Sequence, residues 1–171
     1  SDAMTVEIHE IANADFDNDG VEEILAEHPV FKDFDQATID LLAGCARNEH
    51  FRPGQTIFCE GDSADKVFLL REGDVAVEVS APQHDPLIVE TLRSGDVLGW
   101  SWLMPPHKHM SDARALNDVR ALSLDATCLR TKCEQNPVLG YQMFQHFIPH
   151  LAVRFRALRM QLLDVYGTRK D

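Results

Sequence analysis

At 171 residues, 44% of them apolar and 26% charged, the chain has the size and composition of one globular domain with its own core, which excludes disordered and fibrous classes. Its formal charge of −12, from 28 acidic against 16 basic residues, sets up a field that repels nucleic acid and anionic lipid, and no basic patch relieves it. No stretch approaches the roughly eighteen uninterrupted apolar residues of a membrane span, and no basic-then-apolar leader opens the chain, so we expect a cytoplasmic protein with neither membrane nor nucleic acid as partner.

Ser1-Asp2-Ala3 before Met4 reads as a cloning remnant, and residues 4–20 read as a mobile acidic segment. That segment closes with Asp15-Phe16-Asp17-Asn18-Asp19-Gly20, the opening of a calcium loop with Glu23 at its ninth position. The twelfth position, where a bidentate Glu belongs, is Ala26, so weak calcium binding or none is expected. Val21 to Glu27 reads as a short helix ahead of Pro29, and Asp35 as the N-cap of a second helix through Ala43 with Ile39 and Leu42 on one face.

From Phe51 to Leu124 short apolar runs alternate with turn signals at close spacing, the pattern of an antiparallel barrel or roll. The expected strands are Thr56–Cys59, Val67–Arg71, Val75–Val79, Leu87–Leu92 and Arg114–Leu124. Glu72-Gly73-Asp74 signals a tight hairpin, and Pro53-Gly54, Glu60-Gly61-Asp62 and Ser94-Gly95-Asp96 supply corners. Val75, Val77 and Val79 alternate with Ala76, Glu78 and Ser80, one set facing inward and the other outward.

Asp125 is the expected cap of a helix over Ala126 to Gln135, and Asn136 caps the next with Pro137 in its first position. Within that last helix Phe144, Ile148, Leu151, Phe155, Leu158, Leu162 and Val165 follow a four-three spacing, the seam of a helix that pairs with another helix. A homodimer through this seam is therefore expected, with a kink or break at Pro149. The four cysteines, Cys45, Cys59, Cys128 and Cys133, contain neither a C-x-x-C pair nor zinc spacing, so reduced thiols are expected.

These elements predict a mainly β protein with flanking helices. Residues 21–171 form one domain, with helices over 21–46, an antiparallel β-roll of jelly-roll, cupin-like shape over 47–124, and C-terminal helices over 125–167.

Gly95-Asp96-Val97-Leu98-Gly99-Trp100-Ser101-Trp102-Leu103 describes a strand ending in a single helical turn, which continues through Pro105-Pro106 and His107-Lys108-His109 to Arg114-Ala115. With Gly54, Gly61, Asp62 and Gly73 also at turn positions, the chain from about Leu41 to Leu163 resembles the cyclic-nucleotide-binding domain of the catabolite activator type. The phosphate cassette of that family reads Phe-Gly-Glu, a Leu soon after, then Arg-Ser/Thr-Ala. In this chain its Glu falls on Trp100 and its Arg on His109.

The resemblance implies a β-roll with a ligand pocket and a C-terminal helix that dimerises and closes over the ligand. The family's transcription factors carry a helix-turn-helix beyond that helix, for which the residues up to Asp171 leave no room. The candidate pocket residues are Gly99, Trp100, Ser101, Trp102, His109, Met110 and Ser111. Trp100 cannot accept from a ribose hydroxyl, and His109 lacks the guanidinium fork and carries full charge only below about pH 6.5. If strand alternation extends back from Ala113, His107, His109 and Ser111 share its face while Arg114 points away.

Weak binding of cyclic AMP and cyclic GMP is expected, with a residual anion site at Gly99–Ser101 that strengthens as His109 protonates. His107 and His109 also form a weak metal pair that lacks a third ligand, and no cofactor is expected. The reading is a non-enzymatic sensor for a small anionic or nucleotide-like ligand, acting through a protein partner. A ligand-free dimeric platform and a small metal-dependent cupin-like enzyme are the alternatives.

Overall fold

A side-chain cap sets the second helix. The Asp35 carboxylate accepts from the Thr38 N–H at 2.9 Å and opens the helix Gln36–Ala43 as expected. The computed structural model describes residues 20–167. In chain order these form α1 (Val21–Glu27), α2 (Gln36–Ala43), β1 (Ala46–Phe51), β2 (Thr56–Phe58), β3 (Lys66–Glu72), β4 (Val75–Val79), β5 (Leu87–Leu92) and β6 (Val97–Leu98). A 3-10 turn (Trp100–Leu103), β7 (Asp112–Ala115), β8 (Val119–Asp125), α3 (Ala126–Gln135) and α4 (Pro137–Gly167) follow. Ser1–Ala3, the acidic segment up to Asp19 and the calcium candidates Asp15, Asp17 and Asp19 lie outside the described residues, while Glu23 is exposed on α1.

The strands build two antiparallel sheets, ordered β1-β8-β3-β6 and β2-β7-β4-β5. Their facing sides enclose one apolar cluster, including Phe51, Phe58, Phe68, Leu70, Val77, Leu92, Leu98 and Ala121. The other face of the first sheet presents Val67, Leu69, Leu122 and Leu124 to α1, α2, α3 and α4, where Leu25, Phe31, Leu42, Leu129 and Phe147 complete a second cluster. Val67 through Leu70 are therefore all buried, as are Ala121 through Leu124, and neither run alternates. β4 departs from simple alternation as well, because Ala76 and Glu78 are buried like Val75 and Val77, while Val79 is exposed.

The structure corrects three local expectations. Glu72-Gly73-Asp74 is not a hairpin, because β3 and β4 lie in different sheets and the turn carries the chain from one to the other. The single strand expected over Arg114–Leu124 is two strands, with Leu116–Asp118 crossing back between the sheets beside that same corner. The two corners interlock: the Leu116 N–H donates to Asp74 O at 2.9 Å, the Asp74 N–H to Asn117 Oδ1 at 2.7 Å, and Asn117 Nδ2 to Asp74 Oδ2 at 2.8 Å. Finally, of the kink or break expected at Pro149 the break does not occur, because α4 continues through Pro149 without the helical bond that Pro149 cannot donate.

Cys45 and Cys128 are not free thiols. They form a disulfide that joins the residue before β1 to the first turn of α3 across 83 positions of sequence. Cys59 and Cys133 are free. No described helix is long and apolar enough to cross a membrane.

Two stability predictions follow from the packing. Gly73 has φ 86°, and a Cβ there would lie 2.2 Å from the Asp118 backbone oxygen, so Gly73→Ala is expected to cost about 3 kcal/mol in urea unfolding. Burial, with His150 nearby, pushes the His28 imidazole down to about 4, against a weaker opposing pull from the Leu70 backbone. The native state thus holds His28 neutral, while the unfolded chain takes up a proton as pH falls through about 6.5. Stability is full above pH 6.5 and is lost between there and about pH 4, by up to about 3 kcal/mol. Unfolding midpoints at pH 7 and 4.5 should show this loss in the wild type and much less of it in His28→Leu.

Candidate functional site

β6 ends in Gly99, whose φ of 94° turns the chain into the Trp100–Leu103 helical turn. A side chain at Gly99 would press on Lys66 O at 3.3 Å and on His109 Cε1 at 3.4 Å, so the first and last residues of this excursion touch. Between them the chain passes a cis Pro105-Pro106 bond and His107 at φ 56°. The strand alternation proposed to run back from Ala113 therefore stops at Asp112, where β7 begins. Arg114 does point away from the enclosed cluster, into an ion pair in which its Nε lies 2.9 Å from Glu78 Oε1.

The two tryptophans turn toward the helices. Trp100 and Trp102 meet Phe147 of α4 edge-on, with centroids at 5.4 and 6.0 Å, and both belong to the helix-side core. Their indole Nε1 atoms are buried without a hydrogen-bond partner among the described residues. Arg130 of α3 donates to the Trp102 carbonyl at 3.0 Å, fastening the turn from outside.

His109 turns the other way. It is 6% exposed and lies flat on Phe58, with centroids 3.5 Å apart and planes 6° from parallel. Its backbone is pinned by two bonds to the Gly61–Asp62 corner, Gly61 N–H to His109 O at 2.8 Å and His109 N–H to Asp62 O at 2.9 Å. Burial lowers the imidazole below its ordinary value, and Asp62 and Asp65 only partly offset this. The expected gain of charge near pH 6.5 is thereby displaced to lower pH.

Beside His109 opens a cavity of about 440 Å³ at the rim of the roll, walled by Phe51, Ile57, Phe58 and Phe68 and edged by Glu49, Asp62, Ser63, Asp65 and Lys66. Lys66 Nζ sits 2.7 Å from Glu49 Oε1, which also accepts from the Ser123 hydroxyl at 3.0 Å, so this cation is already partnered. Asp62 accepts from the Cys59 N–H, and Asp65 from the Ser63 hydroxyl. With His109 neutral, the rim carries a net negative charge.

Of the sequence candidates, Gly99 and His109 come together, Trp100 and Trp102 sit in the core, Ser101 and Ser111 are half-buried, and Met110 is exposed. His107 Nδ1 lies 3.3 Å from Ser101 O, and no group of three or more His, Cys, Asp or Glu gathers as a metal would need among the described residues. On α4, Phe144, Ile148, Phe155, Leu162 and Val165 are exposed, while Leu151 and Leu158 are half-buried.

Sequence reasoning missed Glu90 and Arg154. Arg154 reaches from α4 to both carboxylate oxygens of Glu90 on β5, at 3.0 and 2.7 Å, and to Val97 O at 2.9 Å, two residues before Gly99. Glu90 is a lone charge in its strand, and Arg154 is one of three arginines on its helix with Arg156 and Arg159, so neither stood out.

A profile of the cyclic nucleotide-binding domain matches residues 48–136. The chain is 26% identical over 148 residues, 86% of its length, to a CRP-like cAMP-activated global transcriptional regulator of Mycobacterium tuberculosis, and it spans 64% of the length of that curated relative. Among solved structures it is similar to a Geobacter metallireducens protein assigned to cyclic nucleotide binding, at TM-score 0.70 and 26% identity over 78% of this chain and 96% of that one. A cyclic nucleotide-binding domain from Methylobacillus flagellatus superposes at TM-score 0.72 with 19% identity, over 86% of this chain and 83% of the other.

The Arg154 and Glu90 side chains are 18% and 13% exposed, so their pair is screened far less than a surface one. Arg154→Ala strands the Glu90 carboxylate and should cost about 2 kcal/mol. Amide exchange should accelerate along α4 near Arg154 while β3 and β8 stay protected. Unchanged exchange there would mean that the pair does not hold the helix.

Proposed function

The chain belongs to the cyclic nucleotide-binding domain family, and from that membership we propose that it is a non-enzymatic, ligand-sensing regulatory module whose affinity for cyclic AMP and cyclic GMP is low. The carrying observation is the pair of residues at the charged cassette positions: Trp100 lies in the core against Phe147, and His109 is a buried ring stacked on Phe58. Neither offers what a cyclic nucleotide requires, a carboxylate for the ribose and a permanent cation for the phosphate. A missing charge-assisted phosphate contact costs about 2–5 kcal/mol and a missing ribose acceptor about 1–3 kcal/mol. Together, after partial relaxation of the site, they remove about two to five orders of magnitude in affinity.

The rim charge points the same way, since Glu49, Asp62 and Asp65 outnumber Lys66 beside His109. A ligand with an apolar, planar part and little negative charge suits the phenylalanine walls better than a phosphate does. The ligand-free platform keeps one observation in its favour: Val75, Val77, Leu92, Leu98 and Ala113 fill the space between the sheets.

Output through a second copy of the chain is the natural route. Beyond Leu151, α4 carries an apolar stripe with Phe155 at 63%, Leu162 at 59% and Val165 at 59% exposure, and a stripe of that length calls for a partner.

Titration calorimetry with cyclic AMP and cyclic GMP at pH 7.5 tests the first part. Weak or undetectable binding is expected, with a gain in His109→Arg, and submicromolar affinity in the wild type would restore an ordinary cyclic-nucleotide receptor. Trp100 is a poor site for such a test, because a Glu there would be buried in the core. Light scattering tests the second part: a dimer is expected for the wild type and a monomer for Phe155→Glu. A wild-type monomer at tens of micromolar would sink the seam, since an interface of this kind should pair at that concentration.

A further inference from the structure

We propose that Cys45 and Cys128 form a thiol–disulfide exchange site, in which the Lys132 ammonium receives the thiolates released by a dithiol reductant and the bridge reversibly fastens α3 to the roll. The carrying observation is the position of Lys132. Its Nζ lies 3.3 Å from both Cys45 Sγ and Cys128 Sγ, and among the described residues it pairs with no carboxylate. A neutral disulfide is a weak acceptor for an ammonium, whereas a thiolate is a strong one, so this lysine favours the products of reduction.

A second feature of the site acts in the same direction. Cys128 is the third residue of α3, whose cap Asp125 accepts the Cys128 N–H at 2.7 Å, and a helix N-terminal turn stabilises a thiolate. The Asp125 carboxylate opposes this, so Lys132, one helical turn on, decides the sign. The backbone holds the partners together without the bridge, because the Asp125 N–H donates to Cys45 O at 2.9 Å. The reduced thiols therefore remain placed to re-form the bond. Burial with Glu134 nearby pushes the Cys133 thiol up, which makes Cys133 a poor competitor.

The exchange balances as follows. A thiolate of the dithiol attacks the half-buried Cys128 Sγ, forming a mixed disulfide as the Cys45–Cys128 bond breaks and Cys45 leaves as a thiolate beside Lys132. The second sulfur of the reductant then displaces Cys128, so the reductant ends as its own cyclic disulfide. Two electrons pass to the protein, the two protons of the dithiol go to solvent, and Cys45 and Cys128 are left as thiolates beside Lys132 that take protons back from solvent as the pH falls. Reduction removes the covalent tie between α3 and the residue before β1 and leaves the backbone contact, and α3 leads directly into α4, where Gly140 packs on Cys133.

The test uses the full chain with Cys59→Ser and Cys133→Ser, so that only the pair remains. After air oxidation the protein should resist maleimide, and dithiothreitol should then expose two thiols. In Lys132→Met, reduction by dithiothreitol and iodoacetamide labelling of reduced Cys128 at pH 7 should both slow by about tenfold, while Lys132→Arg stays within about threefold of the parent. Far-ultraviolet dichroism and the melting point check that each variant is folded. Should Lys132→Met not fold, Lys132→Gln replaces it with the same expectation. Two maleimide-reactive thiols after oxidation, or equal rates in the neutral and charged variants, would overturn the proposal. Amide exchange over residues 126–147 reads the fastening: faster exchange on reduction supports it, and identical exchange in the two redox states overturns that part.

Discussion

Phe147 is the contact through which the cassette and the long helix are bound into one unit. Its ring is fully buried, with Phe31 at 5.7 Å, Trp100 at 5.4 Å and Trp102 at 6.0 Å. The link between α1 and α2, the helical turn after Gly99 and α4 therefore meet on one side chain, and that cluster rests on the outer face of the β1-β8-β3-β6 sheet. Packed cores are bistable rather than continuously deformable, so a displacement of the Trp100–Leu103 turn cannot be absorbed locally. It has to be passed to α4. Trp100 and Trp102 thus join the turn after Gly99 to the helix, which a glutamate at position 100 could not do from within an apolar core.

The cations of the roll are arranged in the same spirit. Lys66 is held by Glu49, Arg114 by Glu78 and Arg154 by Glu90, so each is matched to a carboxylate of the chain itself. In a protein with a net charge of −12, none of these three is left over for an anionic ligand, and His109 is kept neutral by burial. The Arg154–Glu90 pair, the most buried of the three, contributes more to fixing one arrangement than to net stability, because desolvation offsets much of the attraction. Arg154 sets where α4 lies against β5 and β6.

Much of this fold is legible in the sequence, because capping and turn residues act locally. Asp35, Asp125 and Asn136 cap the helices they were expected to cap, and Val75–Val79 and Leu87–Leu92 have the expected bounds. β1 escaped because Arg47 through His50 are polar and only its two ends are buried, whereas β6 and the turn Trp100–Leu103 are the strand and helical turn read at Gly95–Leu103. Gly73 marks a turn correctly without revealing that the turn changes sheets, since the clash that requires glycine comes from Asp118, forty-five positions away. On α4, a four-three spacing identifies an apolar stripe but not which of two neighbouring stripes faces the body. Leu139, Met143 and Phe147 take that side, and the expected seam lies largely beside them. The Cys45–Cys128 pair has no local signature at all, being created by the return of β8 alongside β1.

The helical arm formed by α3 and α4 is consequently tied to the roll at three places of different chemistry. A covalent bridge holds the start of α3, the aromatic cluster around Phe147 holds the first half of α4, and the Arg154–Glu90 pair holds the helix beyond Pro149. These ties respond to different variables: thiol redox state, cassette conformation, and screening or competition for charge. Because α4 is unbroken across Pro149, loss of any one tie changes the leverage on the other two rather than releasing an independent segment. The exposed apolar stripe from Phe155 to Val165 lies at the far end of this arm, where small rotations produce the largest displacement. An assembly formed there would integrate all three inputs without needing a catalytic group anywhere in the chain.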